Sequence, residues 1–504
     1  MHFYGKKSSA KCTKYFFRTR EKEKPVYIFG RKEYNIVTRL RQRYKKVYQI
    51  DFHKPIKVHF IGIGGISMSG LAELLLDSGF TVQGSDSRKS ALTDSLETMG
   101  AKIFIGQRAC NITDDLQLVV YTAAIHPDNP EYMAAADRKI PMLTRAELLG
   151  QIMRNYDTPI AISGTHGKTT TTSMISQILL DAELDPTLAI GGVMQAIHGN
   201  MRIGKSGYFV TEACEYTNSF LSFYPRISLI LNIEEDHLDF FKDIHDIRNS
   251  FHRFAKLLPE DGTLIINGDI DNLRELTDDL ACRVVTYGLQ NTCQYYASDI
   301  TYQENGCGSF TIHTPDQAFP VTLSVPGEHN IQNAVAAAAL ATLLHIEPGR
   351  IADSLSRFCN ADRRFQYKGS IGGVTIIDDY SHHPTEIRAA LNTALRCRHN
   401  RLWCIFQPHT YTRTKNFFDA FAEALALADH VVLADIYAAR ETDTLGVSSR
   451  MLAEKITSLG TPADYFPTFD EIENFILQNC SSGDLLITMG AGDIVKVGEK
   501  LLGQ

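Results

Sequence analysis

The sequence predicts an α/β protein with three successive layered units, each a largely parallel sheet flanked by helices. Three observations carry this reading. From Ile56 onward, short β-rich runs alternate with helical patterns, the arrangement that builds parallel sheets. Two glycine-bearing turns, at 62–70 and 163–167, each fall between a strand run and a helix pattern. Beyond the first 50 residues, the remaining 454 have room for about three domains at roughly 150 residues each.

Taken in order, residues 56–61 read as a buried strand, 67–78 as a helix, 80–84 as the next strand and 116–123 as another, with Pro141 closing a βα unit. A second series opens with a strand at 158–163 and runs through strands at 207–211, 227–232 and 263–267 and a helix at 247–258. Between 283 and 325 short alternating runs with turn residues at 304–308 predict an antiparallel excursion. The alanine-rich stretch 331–344 predicts a strong helix. A third series has strands at 374–378, 402–406, 430–434 and 484–488, with helices at 385–396, 415–428 and 451–458. The predicted units are a basic extension at 1–50 and domains at 51–155, 156–361 and 362–504.

Charge is unevenly spread. The whole chain has 51 Lys+Arg and 58 Asp+Glu, a formal charge of −7. Residues 1–50 contain fifteen Lys/Arg and three acids, +12, which leaves −19 for the rest. So acidic a body argues against a broad nucleic-acid surface, because phosphate affinity comes mainly from Lys and Arg. The basic head reads either as a polyanion-binding arm or as a tail outside the fold. No apolar run approaches the roughly 18 residues of a membrane helix, and the N-terminus lacks a secretory apolar core. Ten cysteines without a C-x-x-C pair predict neither a zinc site nor a disulfide framework, and point to a reducing cytoplasm.

Chemistry concentrates in a few segments. Gly62, Gly64, Gly65 and Ser67 lie in a turn between strand and helix, where glycines let the backbone approach a diphosphate and the helix N-terminus supplies N–H donors. Asp86, about 20 residues later at a strand end, is placed to bind ribose hydroxyls. The spacing departs from G-x-G-x-x-G, since Ser67 occupies the third glycine position, and it leaves NAD or another diphosphate open. Gly164-Thr165-His166-Gly167-Lys168-Thr169-Thr170 forms a shortened phosphate loop, in which Lys168 reaches the β/γ-phosphates and Thr169 can ligate Mg²⁺. Glu212 and His237, at later strand ends of the same series, are candidates to complete the metal coordination.

Three further segments are less specific. Asp378-Asp379-Tyr380-Ser381-His382-His383-Pro384 reads as a polar cluster or as a helix cap. Arg413, in Gln407-Pro408-His409-Thr410-Tyr411-Thr412-Arg413, is a candidate fork for a carboxylate or phosphate. Asn330 and Asn333 lead into the alanine-rich helix, either to read an adenine edge or to cap the helix.

Together these segments, with Asn232-Ile-Glu-Glu-Asp-His237, Gly327-Glu-His-Asn330, Arg363-Arg-Phe365 and Thr385-Glu-Ile387, closely resemble the Mur ligases over about residues 50–504. Within that family the pattern is most similar to the members that act on UDP-N-acetylmuramate and L-alanine. The resemblance implies a three-domain enzyme of peptidoglycan synthesis. It would be cytoplasmic, a monomer or weak homodimer, with no nucleic-acid or membrane partner. ATP would phosphorylate the lactyl carboxylate of UDP-N-acetylmuramate, and the amine of L-alanine would attack the acyl phosphate. By match to the family's motifs, Lys168, Glu212, His237, His382 and Arg413 would be catalytic. Thr169, Glu212 and His237 would hold Mg²⁺. ATP would meet the 164–170 loop, Asn330, Asn333 and Arg363. Gly62, Gly64, Gly65, Ser67, Asp86, Thr122 and His126 would serve the UDP-sugar, and Tyr380, His382 and Arg413 the amino acid.

Two departures stand out. Ala213-Cys214-Glu215-Tyr216-Thr217 replaces an acidic run present in many relatives, and Thr410 stands where some carry arginine. The alternative within the family is a recycling ligase that attaches a preformed peptide to the same sugar. A nucleotide-sugar dehydrogenase would leave the 164–169 loop unexplained, and a regulatory protein would not need Lys168, Glu212 and His237 together. Since the resemblance begins near Tyr48, residues 1–46 are expected to be a lineage-specific tail or to precede a natural start at Val47.

Overall fold

A computed structural model describes residues 48–122, 124–439, 441–442 and 445–504. Residues 1–46 and Val47 lie outside the described residues, as does Ala123 at the end of the strand expected at 116–123. Residues 49–504 carry three sheets.

The first sheet contains β1 (Lys57–Ile61), β2 (Thr81–Asp86), β3 (Lys102–Ile105), β4 (Leu118–Tyr121) and β5 (Met142–Thr144), all parallel in the order β3-β2-β1-β4-β5. Val58, Phe60 and Ile61 are fully buried, as a strand covered on both faces requires. Because β2 and β4 flank β1 on opposite sides, the chain reverses direction there, and ligands of such sheets bind at that crevice. The turn at 62–65 and Thr122 both lie at it. A buried carboxylate, Glu131, ties the layer together: its Oε2 is 3.2 Å from His59 Nε2 and accepts from Ser85 Oγ at 2.5 Å, and its Oε1 accepts from Asn111 Nδ2 at 2.5 Å.

The second sheet has ten strands: β6 (Thr158–Ser163), β7 (Thr187–Met194), β8 (Gly199–Arg202), β9 (Tyr208–Glu212), β10 (Ile227–Ile230), β11 (Thr263–Asn267), β12 (Arg283–Gly288), β13 (Tyr295–Tyr302), β14 (Cys307–His313) and β15 (Ala318–Pro326). Their order is β15-β14-β13-β12-β11-β10-β6-β9-β7-β8. β6 therefore sits between β10 and β9, and the carboxyl ends of all three meet. The antiparallel excursion is shorter than the sequence predicts. β12 pairs parallel with β11, and only β13 to β15 form the meander. Beneath the sheet, helix Glu328–Leu343 buries Ala334 and Ala336–Ala339 against helix Lys168–Asp181, the small side chains allowing close approach.

The third sheet orders β16 (Gln366–Ile371), β17 (Val374–Asp379), β18 (Leu402–Phe406), β19 (His430–Leu433), β20 (Ala463–Tyr465) and β21 (Leu485–Met489) as β16-β17-β21-β18-β19-β20, with only β16 antiparallel. The single helix expected at 415–428 is two, Tyr411–Asn416 and Phe418–Leu425. The chain leaves helical geometry at Phe417 (φ −111°, ψ 23°), whose ring packs edge-on against His383 with centroids 4.8 Å apart.

Candidate functional site

Helix Lys168–Asp181 follows β6 across the Gly164–Gly167 loop, and no side chain caps its N-terminus, which leaves backbone donors for an anion. Its N-cap, Gly167, has φ 82°, and a Cβ there would lie 2.9 Å from Asn333 Oδ1, so both the left-handed turn and the close approach require glycine. Lys168 Nζ donates to Gly164 O (2.5 Å), Thr165 O (3.1 Å) and the buried Glu215 carboxylate (3.0 Å to Oε2). Burial opposes its charge, but Glu215 and, further off, Glu212 hold its pKa above the ordinary lysine value. Thr169 Oγ1 donates to Glu212 Oε2 at 3.1 Å, and Gly191 N–H donates to Oε1 at 2.6 Å. Even so, burial pushes the Glu212 carboxyl up, the mark of an anion short of positive charge. A hydroxyl and a carboxylate suit a hard divalent cation, and His237 lines the same cavity of about 650 Å³. His237 is held at φ 53°, an uncommon conformation of the kind that collects at functional sites.

The third sheet delivers Tyr380 and His382 to the same cavity, where they join Lys168, Thr169, Glu212 and His237; Arg413 does not line it. His382 Nδ1 lies 3.0 Å from Tyr380 O, and burial pushes its pKa down to about 4, so the ring is neutral at pH 7. Arg413 forks onto Asp236 (Nη2–Oδ1 2.8 Å, Nε–Oδ1 3.2 Å) across 177 residues of chain. Burial works against the Asp236 charge, but Arg413 and His237 outweigh it and hold the carboxyl well below its usual range.

A second cavity of about 650 Å³ adjoins the first and is lined by residues that include His166, Gly167, Asn267, His329, Asn330 and Asn333. Asn330 does not cap its helix. It is buried, donates to Pro326 O at 2.7 Å and accepts from Asn333 Nδ2 at 3.2 Å. The two arginines of the 363–365 segment divide. Arg363 spends its guanidinium on Asp378 (2.9 Å), Gly492 O (2.9 Å) and Gly490 O (2.7 Å), whereas Arg364 lines both cavities. Arg363 is thus bonded within the third domain while still lining the first cavity, and the side chain shared by both cavities is its neighbour's.

On the first sheet, Gly64 N–H donates to Asp86 Oδ2 at 2.9 Å, and a Cβ at Gly64 would lie 2.9 Å from that same oxygen. Asp86 therefore braces the glycine turn directly. Thr122 Oγ1 accepts from Ala124 N at 3.2 Å, and His126 is exposed in the loop beyond it. Ser67 Oγ accepts from Arg145 Nη1 at 3.1 Å.

This geometry has clear counterparts among known proteins. Residues 57–157 match the model of the Mur ligase family catalytic domain, 162–341 the Mur ligase middle domain, and 363–492 the Mur ligase glutamate ligase domain. UDP-N-acetylmuramate–L-alanine ligase of Agathobacter rectalis is 58% identical over 457 residues, 90% of this chain and all of the relative. The chain belongs to the Mur ligase family. The namesake ligase of Lachnospira eligens is 59% identical over 458 residues, again 90% of this Mur ligase and 100% of the relative. Among solved structures, the UDP-N-acetylmuramate–alanine ligase of Thermotoga maritima superposes with a TM-score of 0.73 at 29% identity, over 89% of this chain and 98% of that one. A murein peptide ligase from Psychrobacter arcticus gives 0.64 at 25% identity over the same shares.

In this Mur ligase several groups at the cleft have no role that the sequence assigned them, because their partners are far away in the chain. Glu215, Asp236, Arg364 and Glu386 are the chief ones. Glu386 meets the phosphate loop: His166 Nδ1 is 3.0 Å from its Oε1, and His166 Nε2 is 3.6 Å from Glu234 Oε2. Thr385 Oγ1 donates to Glu234 at 2.6 Å, and His383 Nε2 lies 3.0 Å from Glu235 O. His166, Glu234 and His383 bring three metal-type donor atoms within 4.8 Å of one another. Because His383 already spends both ring nitrogens, on Glu235 O and Thr385 N, the cluster acts as a tie between the second and third sheets.

Burial disfavours the His166 charge, but Glu386 and Glu234 override it and push the pKa from 6.5 up to about 9. A group whose folded-state pKa is raised stabilises fully below its unfolded value, and that stability is lost as pH climbs through the folded one. The thermal midpoint should therefore fall between about pH 6.5 and 9. Glu386→Gln should flatten that fall; an unchanged slope in the variant would exclude the His166 pair as its source.

Proposed function

We propose that this Mur ligase joins L-alanine to the lactyl carboxylate of UDP-N-acetylmuramate, giving UDP-N-acetylmuramoyl-L-alanine, ADP and phosphate in peptidoglycan synthesis. The observation that carries the reading is the convergence in one cavity of Lys168, Thr169, Glu212 and His237 with Tyr380 and His382 from the third sheet. Whole-length likeness to relatives named for this reaction supports it.

A carboxylate is a poor electrophile until it carries a leaving group, so its oxygen first takes the γ-phosphoryl group and ADP departs. The amine then attacks the acyl carbon, and the tetrahedral adduct expels phosphate and a proton to leave the amide. Phosphoryl transfer needs positioning and charge compensation more than covalent help. Lys168 and the uncapped helix start compensate the phosphates. Thr169, Glu212 and His237 would hold Mg²⁺, which supplies Lewis-acid charge to the triphosphate when bound. Asn330 and Asn333 sit where the adenine edge would enter, with Arg364 between the nucleoside and phosphate cavities. Arg413, whose Nε and Nη2 are held by Asp236, is assigned to the amino-acid carboxylate by its motif, and Tyr380 and His382 frame the reacting centre.

Gly62, Gly64, Gly65, Ser67 and Thr122 are assigned to the UDP-sugar, with Asp86 bracing their turn; His126 sits on the adjoining loop. Domain limits at 51–155, 156–361 and 362–504, a cytoplasmic location and a monomer or weak homodimer complete the proposal. No helix among the described residues is long and apolar enough to cross a membrane.

The test is phosphate release from ATP and UDP-N-acetylmuramate with each amino acid and with an L-alanyl tripeptide offered separately. Stimulation by L-alanine is expected. Stimulation by the tripeptide alone would replace this reading with the recycling one.

A further inference from the structure

A third chamber, of about 330 Å³, runs between the glycine turn of the first sheet and Glu212 of the second. Ser67 stands at one end, Glu212 at the other, and Arg145, Gly191, Cys214 and Ser219 form part of the wall. Arg145 is the only cationic side chain among the described lining residues. It opens helix Arg145–Met153, where the acid closest in sequence, Glu147, is already used in a capping box with Thr144. The hydrogen bond recorded for the Arg145 guanidinium goes to a neutral hydroxyl, Ser67 Oγ at 3.1 Å. The chamber's carboxylate, Glu212, sits at the other end and is bonded to Thr169 and Gly191, so a half-buried guanidinium held only by a neutral hydroxyl is placed to receive an anion from a ligand.

The chamber's position says which anion. Glu212 and Thr169 mark the phosphoryl-transfer end, and the reacting oxygen must come within about 3–3.5 Å of the phosphorus for transfer. The sugar's diphosphate belongs instead at the glycine turn, beyond Ser67. Resting on the functional reading above, we propose that Arg145 holds the free lactyl carboxylate of the sugar nucleotide and presents it to the phosphoryl-transfer site. The planar fork fits that carboxylate through paired N–H donors, leaving one oxygen available to attack.

The test is calorimetric binding of UDP-N-acetylmuramate and of UDP-N-acetylglucosamine, which lacks the lactyl group, to the full chain and to Arg145→Met and Arg145→Lys. A charge-assisted hydrogen bond of this kind corresponds to a loss of about 10- to 100-fold. Arg145→Met should weaken the muramate ligand by that factor and leave the glucosamine ligand within about twofold, and Arg145→Lys should recover part of the loss. Equal weakening of both ligands would make Arg145 a diphosphate or packing residue and overturn the inference, as would no change in either. If the unaltered chain failed to bind UDP-N-acetylmuramate at all, the functional reading would fall with it.

Discussion

Lys168→Ala is expected to lower ATP-dependent ligation by roughly 10³-fold or more while UDP-N-acetylmuramate binding survives, because a charge on the transferring phosphoryl group typically contributes on that scale. The structure adds a second consequence. Lys168 is the cation bonded to Glu215, a carboxylate only 3% exposed, and removing it leaves that carboxylate buried beside His237 at 3.8 Å. Some loss of thermal stability should therefore accompany the catalytic loss. Lys168→Ala/Glu215→Gln should regain the stability without the activity, since only the buried charge has been relieved. Phosphate release from purified protein, with calorimetric binding of the sugar nucleotide, separates the two effects. A single variant that turned over normally would remove Lys168 from the phosphate site.

The neighbouring arginines give the second large effect, with opposite signatures. Arg363→Met removes the guanidinium from Asp378, which is fully buried, and frees Gly490 O and Gly492 O of the loop after β21. Breaking a buried pair from one side costs about 3–5 kcal/mol, a fall of order 10 °C in the midpoint for a domain of this size. KM for ATP should change little in the protein that remains folded. Arg364→Met should do the reverse: a near-normal melting curve with KM for ATP raised about tenfold or more. Differential scanning fluorimetry and initial rates on the same preparations decide the matter. A higher ATP KM in Arg363→Met at unchanged stability would instead assign Arg363 to the phosphates, as its motif implies and its place in the first cavity allows.

That pair also shows how far the sequence reaches. Adjacent arginines in one motif are indistinguishable until the chain turns at Arg363 (φ 63°) and Phe365 (φ 49°) and aims them differently. The elements were legible where the pattern is local. β6, the uncapped loop and the helix after it follow from an apolar run, glycines and a helix former in sequence. The alanine-rich helix was legible too, through propensity. The break at Phe417 was not, because it depends on His383, brought against Phe417 only by the fold. Strands β7 and β8 also escaped, since Gly191 and Gly192 blur the alternation of β7. Gly191 there supplies an N–H to Glu212, a contact no periodicity encodes.

Local chemistry was enough to establish the order of three α/β layers, the phosphate loop with its lysine, and the family to which the chain belongs. These rest on short-range chemistry: a turn, a helix start and hydrophobic runs each fit within about ten residues. Which charges meet is set by the folded chain. Lys168 with Glu215, Arg413 with Asp236, His166 with Glu386 and Arg145 with Ser67 are 47, 177, 220 and 78 residues apart. Each pairing is set by where strand ends converge, and a carboxylate's partner is a matter of distance in space, which chain order does not carry.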